Sequence, residues 1–550
     1  MLTISINGTI QQVSEGTCVA DLIPKGGESI EGQPLVAALV NNDLVSLTYP
    51  VSVNGEIQFL TATSPHGWRV YRWSVCYLLA KAVADVAPLA AFAIEHAIGP
   101  GLYCTFNGNT PLDTKMLERI KTRMLELIDQ DLPIERRKIS FLDAVHTFER
   151  CGFHEKLHLL QYRNPPRVVI HWCDGFCDLA HGPLTPSTGI LGHFDLIPYP
   201  PGFILQLPAI EDPEQVPPFT DQPHLFQIFR EHKDWGRILG VTTAGRLNHI
   251  TYDRKVEGFI HTAEALHEKK LGRIADLIAS RRQSVRIVLI AGPSSAGKTT
   301  FAKRLATHLC VNGIQPVTLA TDDYFVGDDR NPVDAEGKPD FEHINAVDLV
   351  AFNQDLRALI DGLPIQVRRF NFETRHPELK QETLQLTAGQ MLIIEGIHGL
   401  NPQLTAMIPA EQKFRIYVNA LTQLNVDSSN RISTTDNRLI RRMVRDHQFR
   451  GHSALRTLSL WPMVRRGEAR WIFPFQQEAD ATFNSALDYE LAVLKPFAEP
   501  LLMQIKPNHP EYAESRRLTE FLLNFIPIQE DLVPRNSILR EYIGGSMLHY

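Results

Sequence analysis

The run Gly292-Pro-Ser-Ser-Ala-Gly297-Lys298-Thr299-Thr300 fits G-x-x-x-x-G-K-[ST], and it follows an apolar, β-branched run from Ile287 to Ala291. No other feature constrains the chain as much. It demands a strand, a glycine loop and then an amphipathic helix, and Phe301, Leu305 and Leu309 supply the apolar stripe of that helix. The glycines let the backbone close into a nest of N–H donors, and the helix starting near Lys298 aims its positive end at the same point. Lys298 adds a mobile cation. Gly292, Pro293, Ser294, Ser295, Ala296, Gly297, Lys298, Thr299 and Thr300 are therefore the candidate ATP-binding residues, with Thr299 placed to hold Mg²⁺.

Composition adds bounds. At 550 residues and 44% hydrophobic, the chain can bury large cores and is long enough for three or so domains. Its longest apolar stretch, Leu78 to Ile98, is interrupted by Lys81, Asp85 and Glu95 and reads as a buried or amphipathic helix rather than a membrane span. The start, MLTISINGTIQQ, lacks the basic and apolar regions of a signal peptide, so a cytoplasmic location is expected. Seven cysteines without a framework agree with reduced thiols. The net charge of −7 gives no global attraction to nucleic acid, which leaves an RNA or tRNA partner to a local patch. An oligomer is left open.

Along the chain, residues 1–62 give short alternating runs separated by Asn-Gly and Gly-Gly turns, as expected for a small mixed sheet. The pattern turns helical at Trp68 and then mixed; residues 168–207 alternate strands with Gly/Pro turns, and 198–218 is a proline-rich connection. A helical stretch from about Thr262 to Arg281 leads into the phosphate-loop strand.

Three further patterns carry chemistry. Val317-Thr-Leu-Ala-Thr-Asp322-Asp323-Tyr324-Phe325 is a strand with two acids at its carboxyl end, one of them a candidate base for an attacking hydroxyl. Met391-Leu-Ile-Ile-Glu395-Gly396 is a buried strand presenting a carboxylate, placed to share the metal with Thr299. From Arg438 to Arg450 arginines recur three and four apart, so Arg438, Arg441 or Arg442, and Arg445 share a helical face suited to a lid over developing phosphate charge.

In this order, these elements resemble the uridine kinase and phosphoribulokinase family over about residues 284–500. The family's Gln-Asp-Ser-Phe-Tyr segment, whose Asp is the catalytic base, is matched by Thr321 to Phe325, which implies Asp322 in that role. Its ribose-binding Phe-Asp-His-Pro resembles Phe341-Glu342-His343-Ile344, with Glu342 replacing Asp. The resemblance thus implies Asp322, Lys298, Arg442 and Arg445 as catalytic and Glu342, Phe370, Arg375 and Arg438 as acceptor-binding. One departure bears on the acceptor. The family's Tyr-Asp-Phe-x-x-His hairpin aligns with Phe370 to Arg375, so the base-reading histidine becomes Arg375, or His376 after a one-residue shift.

The front half resembles another family. Residues 1–62 look like a β-grasp TGS domain. Residues 67–79, Ala97 to Tyr103 and Asp178 to Leu184 resemble the editing domain of threonyl-tRNA synthetase. Trp73 and Tyr77 replace its two helical histidines, and Ala180 and Leu184 its Cys and His, so an editing hydrolase is not expected. Two metal-like patterns, His154-Glu155-x-x-His158 and the group His171, Cys173, Cys177 and His181, lack a third ligand or a zinc spacing.

The expected fold is multidomain α/β and α+β. Residues 1–62 form a β-grasp domain, 63–245 an α+β editing-like domain, 246–283 a helical connection, 284–500 a P-loop NTPase-type parallel sheet with flanking helices, and 501–550 an extension docking back onto another domain. The expected function is ATP- and Mg²⁺-dependent phosphorylation of a nucleoside 5′-hydroxyl, with no membrane partner. The rivals are a nucleotide-switched RNA- or tRNA-binding regulator and a kinase of a non-nucleoside acceptor such as a sugar phosphate.

Overall fold

The computed structural model describes residues 1–107, 112–163, 165–334, 337–371 and 374–549. Its chain is mixed α/β and divides into two compact units, each assembled from separated segments.

The first unit comprises Met1–Lys255, Gln423–Ser433 and Glu499–Pro527. It opens with a six-stranded mixed sheet. Leu2–Ile6 and Thr9–Val13 pair with Ile6 opposite Thr9, so Asn7 and Gly8 alone make the turn, at φ 48° and 80°. Two successive positive φ angles give a turn whose twist matches the strands, which is why Asn-Gly stands there. Ile4, Ile6, Val40, Ile57 and Phe59 face one small core.

Helix Pro65–Val86 follows, capped by the Ser64 hydroxyl accepting from the Gly67 amide and started by Pro65. The apolar stretch from Leu78 to Ile98, expected as one helix, is two elements. The helix ends at Val86, and Ala91–Ile98 is a strand paired with Gly101–Asn107. Pro88 explains the break, since it cannot donate to a helix and pushes Ala87 out of the helical region. That pair joins Gly202–Gln206 and Asp195–Tyr199 in a four-stranded antiparallel sheet packed on the long helix.

The segment Gln423–Ser433 is woven into this unit. The Ala244 amide donates to the Asn425 carbonyl and the Ile94 amide to that of Ser428. Buried Lys156 pairs with Asp178 and, at 3.3 Å, with the fully buried carboxylate of Asp427. Asp427 also accepts from the amides of Ser429 and Asn430, and Lys156 holds its carboxyl below the usual range against the effect of burial.

The second unit comprises Val256–Thr422, Thr434–Ala498 and Ile528–Tyr550. Its sheet has five parallel strands in the order Gln315–Ala320, Gln390–Glu395, Ile287–Ala291, Lys413–Asn419, Ala481–Asn484. All five residues of Ile287–Ala291 are buried, as a central parallel strand requires. The chain leaves this strand toward one side and later returns on the other, which opens a crevice at its carboxyl end. A two-stranded hairpin, Ile365–Asn371 with His376–Leu384, stands apart from the sheet.

Candidate active site

The phosphate loop runs from the end of Ile287–Ala291 to helix Lys298–Val311. Its first glycine is required by close approach, because a β-carbon on Gly292 would collide with the Val418 carbonyl of the adjacent strand. Ser295 and Gly297 both take left-handed φ, 58° and 81°. For Ser295 that conformation is uncommon and must be held by its surroundings. Its hydroxyl is buried and has no partner among the described residues, so it is available to an anion in the loop. The Lys298 ammonium folds back to the Pro293 carbonyl at 3.2 Å.

Thr299 Oγ1 donates to Glu395 Oε1 at 3.0 Å. This is the hard-oxygen pair that an octahedral Mg²⁺ accepts alongside phosphate and water. Burial lifts the Glu395 carboxyl to about 7, and Asp322 and Glu541 add to that while Lys298 opposes it. A bound cation would return it to the carboxylate. Loop, lysine, hydroxyl and acid together fit a magnesium–triphosphate group.

Asp322 and Asp323 begin a short helical turn, Thr321–Tyr324, at the end of Gln315–Ala320. Their fates differ. Asp323 is tied to Arg369 of the hairpin at 2.6 Å. Asp322 is exposed at the carboxyl end of Gln315–Ala320, with Lys298 and Arg450 as its neighbouring cations. Desolvation raises its pKa, against the pull of both cations.

Glu342 lies on the same side. Gly467 leaves room for it, since a β-carbon there would collide with the Glu342 side chain. Burial raises its carboxyl to about 7, with Glu468 and Asp322 adding and Arg442 and Lys298 opposing. Phe370 packs edge-on to Phe325. Arg375, at φ 58°, pairs with Asp328 at 3.2 Å and lies over the Phe341 ring. Phe372 and Glu373 of the same hairpin lie outside the described residues.

The arginine helix, Thr434–Arg450, carries two groups of cations. Arg438 and Arg441 are fully buried; Arg438 forms a bidentate pair with Glu468, and Arg441 donates from two nitrogens to one oxygen of Glu490. From there they reach the back of the loop: Arg438 donates to the Ser294 carbonyl at 3.0 Å and Arg441 to that of Ser295 at 3.4 Å. Glu468 in turn accepts from the Ser294 amide. Arg438, expected at the acceptor, is thus placed behind the phosphate loop. Arg442 and Arg445 share Asp446, and Arg442 also donates to the Ser294 hydroxyl at 2.7 Å. Sequence reading missed Glu468 and Glu490; only the short Arg465-x-x-Glu468 spacing hinted at the first.

In the first unit, the positions of the lost editing groups are filled. Trp73 packs against Gly182, Tyr77 donates to the His171 and Phe176 carbonyls, and Leu184 joins the core. Among the described residues, no three His, Cys, Asp or Glu side chains converge as a metal site, and no helix is long and apolar enough to cross a membrane.

Comparison with known proteins gives different relatives for the two ends of the chain. Residues 287–492 match the model of the Phosphoribulokinase / Uridine kinase family. The N-terminal region is similar to bacterial threonine–tRNA ligases. Identity is 34% over 198 residues with that of Syntrophotalea carbinolica, covering 34% of this chain and 30% of the ligase. It is 36% over 166 residues with that of Acidithiobacillus ferrooxidans, covering 29% and 25%. The chain spans under a third of the length of these curated relatives. Among solved structures, a possible uridine kinase from Bacillus stearothermophilus is 16% identical and covers 38% of this chain and 98% of its own, with a TM-score of 0.25. The D-glycerate 3-kinase of Cryptococcus neoformans is 11% identical, with coverages of 48% and 89% and a TM-score of 0.21.

Proposed function

We propose that the second unit is an ATP- and Mg²⁺-dependent phosphotransferase that moves the γ-phosphate to a hydroxyl of a small acceptor, the 5′-hydroxyl of a nucleoside foremost. One observation carries the reading. Beside the loop lysine stands a carboxylate, Asp322, that no ion pair among the described residues consumes, while its neighbour Asp323 is taken by Arg369. A nucleotide switch needs no such acid.

The loop amides and Lys298 hold the donor phosphates, and Thr299 with Glu395 holds the metal. Mg²⁺, when bound, would offset negative charge on the donor phosphates. Asp322 takes the proton of the acceptor hydroxyl as its oxygen bonds to the γ-phosphorus, and the bond to the β-phosphate oxygen breaks in line. Glu342 holds acceptor hydroxyls, with Phe370 and Arg375 closing the hairpin side. Arg442 and Arg445 offset charge on the transferring group, whereas Arg438 and Arg441 brace the loop.

Arg375 favours one widening of the acceptor class. A guanidinium lying over Phe341 and paired, among the described residues, with the exposed Asp328 can also meet an anionic or polyol acceptor such as a sugar phosphate. The first unit serves as a scaffold or binding module, because bulky apolar groups occupy its former site.

The test is a screen of ribonucleosides, sugars and sugar phosphates with labelled ATP, comparing wild type with Asp322→Asn. Product from a nucleoside, lost in the variant, supports the reading. Product from a sugar phosphate alone moves the acceptor class. Nucleotide-dependent RNA binding without acceptor phosphorylation overturns it.

A further inference from the structure

The segment Ile528–Tyr550 lies beyond the matched region 287–492, yet it belongs to the same compact unit as the phosphate loop. Three of its side chains meet that loop. Ile538, fully buried, places Cδ1 2.6 Å from the point where a β-carbon of Gly297 would stand. The hollow left by the glycine is therefore filled from the tail. Tyr542, also fully buried, donates from its hydroxyl to the Ser295 carbonyl at 3.0 Å. Glu541 Oε2 accepts from the Thr300 amide at 3.2 Å and from its hydroxyl at 2.6 Å. Thr300 lies in the first turn of the loop helix, where exposed amides and the helix dipole favour a carboxylate.

The segment has its own anchors. Arg540 donates to the Val533 carbonyl at 2.6 Å and to that of Glu530 at 2.8 Å, which pins the tail into a compact turn. Asn536 donates to Glu268 at 3.1 Å, and the Ile528 amide to the Ala492 carbonyl. Arg441 lies over the Tyr542 ring, 5.0 Å from its centroid. The tail thus presents a fixed surface to the loop.

A glycine loop recognises phosphate through amides that must converge on one point. Any freedom left to them is lost on binding and subtracts from affinity. Ser295 is where that freedom is most costly, since its left-handed φ is a conformation the residue avoids by itself. The Ser295 carbonyl is gripped from two sides, by Arg441 of the arginine helix and by Tyr542 of the tail. Gly297, the other left-handed position, is backed by Ile538.

We propose that Ile538, Glu541 and Tyr542 are positioning residues for the phosphate loop, which make the C-terminal tail part of the nucleotide site. The proposal rests on the reading of the loop as that site. Glu541 gives it a distinct opposite. A carboxylate seated on a loop-helix amide could instead compete with phosphate, and its removal would then tighten binding.

The experiment uses the full chain carrying Tyr542→Phe, Ile538→Ala, Ile538→Val or Glu541→Gln. Two quantities are read: MgATP affinity by calorimetry, and amide hydrogen exchange at residues 294–300 without nucleotide. Tyr542→Phe deletes one hydroxyl and keeps the packed ring, so it should melt close to wild type. It is expected to weaken MgATP binding about tenfold, with faster loop exchange. Ile538→Ala should do the same and Ile538→Val should largely restore both, while Glu541→Gln weakens binding less because its amide oxygen still accepts. Unchanged loop exchange, or MgATP affinity that stays level or tightens across the series, overturns the proposal. If the wild type binds no MgATP, the phosphotransferase reading falls, and the exchange rates alone decide whether the tail shapes the loop.

Discussion

At the scale of single residues, the two aspartates after Gln315–Ala320 show how neighbours with the same chemistry acquire different duties. Arg369 neutralises Asp323 and leaves Asp322 open beside Lys298. Asp322→Asn is therefore expected to lower kcat about 10²- to 10⁴-fold while MgATP affinity by calorimetry stays within a factor of about two. Asp323→Asn should change kcat far less, the comparison that separates base from ion-pair partner. Glu342 adds a pH effect. With its carboxyl lifted to about 7, the folded chain keeps a proton that the unfolded chain releases in the ordinary glutamate range near 4.5. Stability from this group is full below that range and is lost as pH rises toward 7. Glu395 titrates in the same window. Ligand-free Glu342→Gln should accordingly show a flatter fall of melting temperature between pH 5 and 7 than wild type; an unaltered slope would refute the assignment. Asp322, Asp323 and Glu395 were legible in the sequence because each sits at or just after a strand end, and Glu342 through the resemblance of Phe341 to Ile344 to a family segment. Which of the two adjacent aspartates stays open was not legible from residue spacing, since Arg369 lies in a separate hairpin.

At the scale of elements, the arginine helix carries the clearest lesson. Spacing of three and four put its arginines on shared faces, and the structure keeps that geometry. What spacing does not tell is which row points inward. Arg438 and Arg441 are buried because Glu468 and Glu490, 30 and 49 residues later, meet them. Breaking such a buried pair from one side leaves an uncompensated charge. Glu490→Ala should thus destabilise the second unit by about 3–5 kcal/mol in urea unfolding. An effect below about 1 kcal/mol would mean that the pair behaves like an exposed one. The stretch from Leu78 to Ile98 misled for a related reason. Continuous apolarity reports burial, and only Pro88 reported that the buried element changes from helix to strand.

At the scale of the whole molecule, the loop strand, the parallel sheet and the two resemblances could be read from the chain, whereas its interlacing could not. Hydrophobic pattern shows that a segment is buried and not which core receives it. Residues 423–433 and 499–527 sit in the first unit although the chain around them builds the second. A fragment starting at Val256 would therefore carry both segments without the body they pack on, including an Asp427 deprived of Lys156. Expressed alone, residues 256–550 should melt well below the intact chain or precipitate, as calorimetry and sedimentation would show; a fragment as stable as the full chain would refute the interlaced reading. The same weave governs the order of birth on the ribosome. The first unit waits for residues up to Pro527 and the second for the tail that braces Gly297 and Ser295. The first core thus keeps an apolar face exposed while most of the second is being made, and a premature stop between Pro527 and Ile538 would leave the first unit whole while stripping the second of its brace.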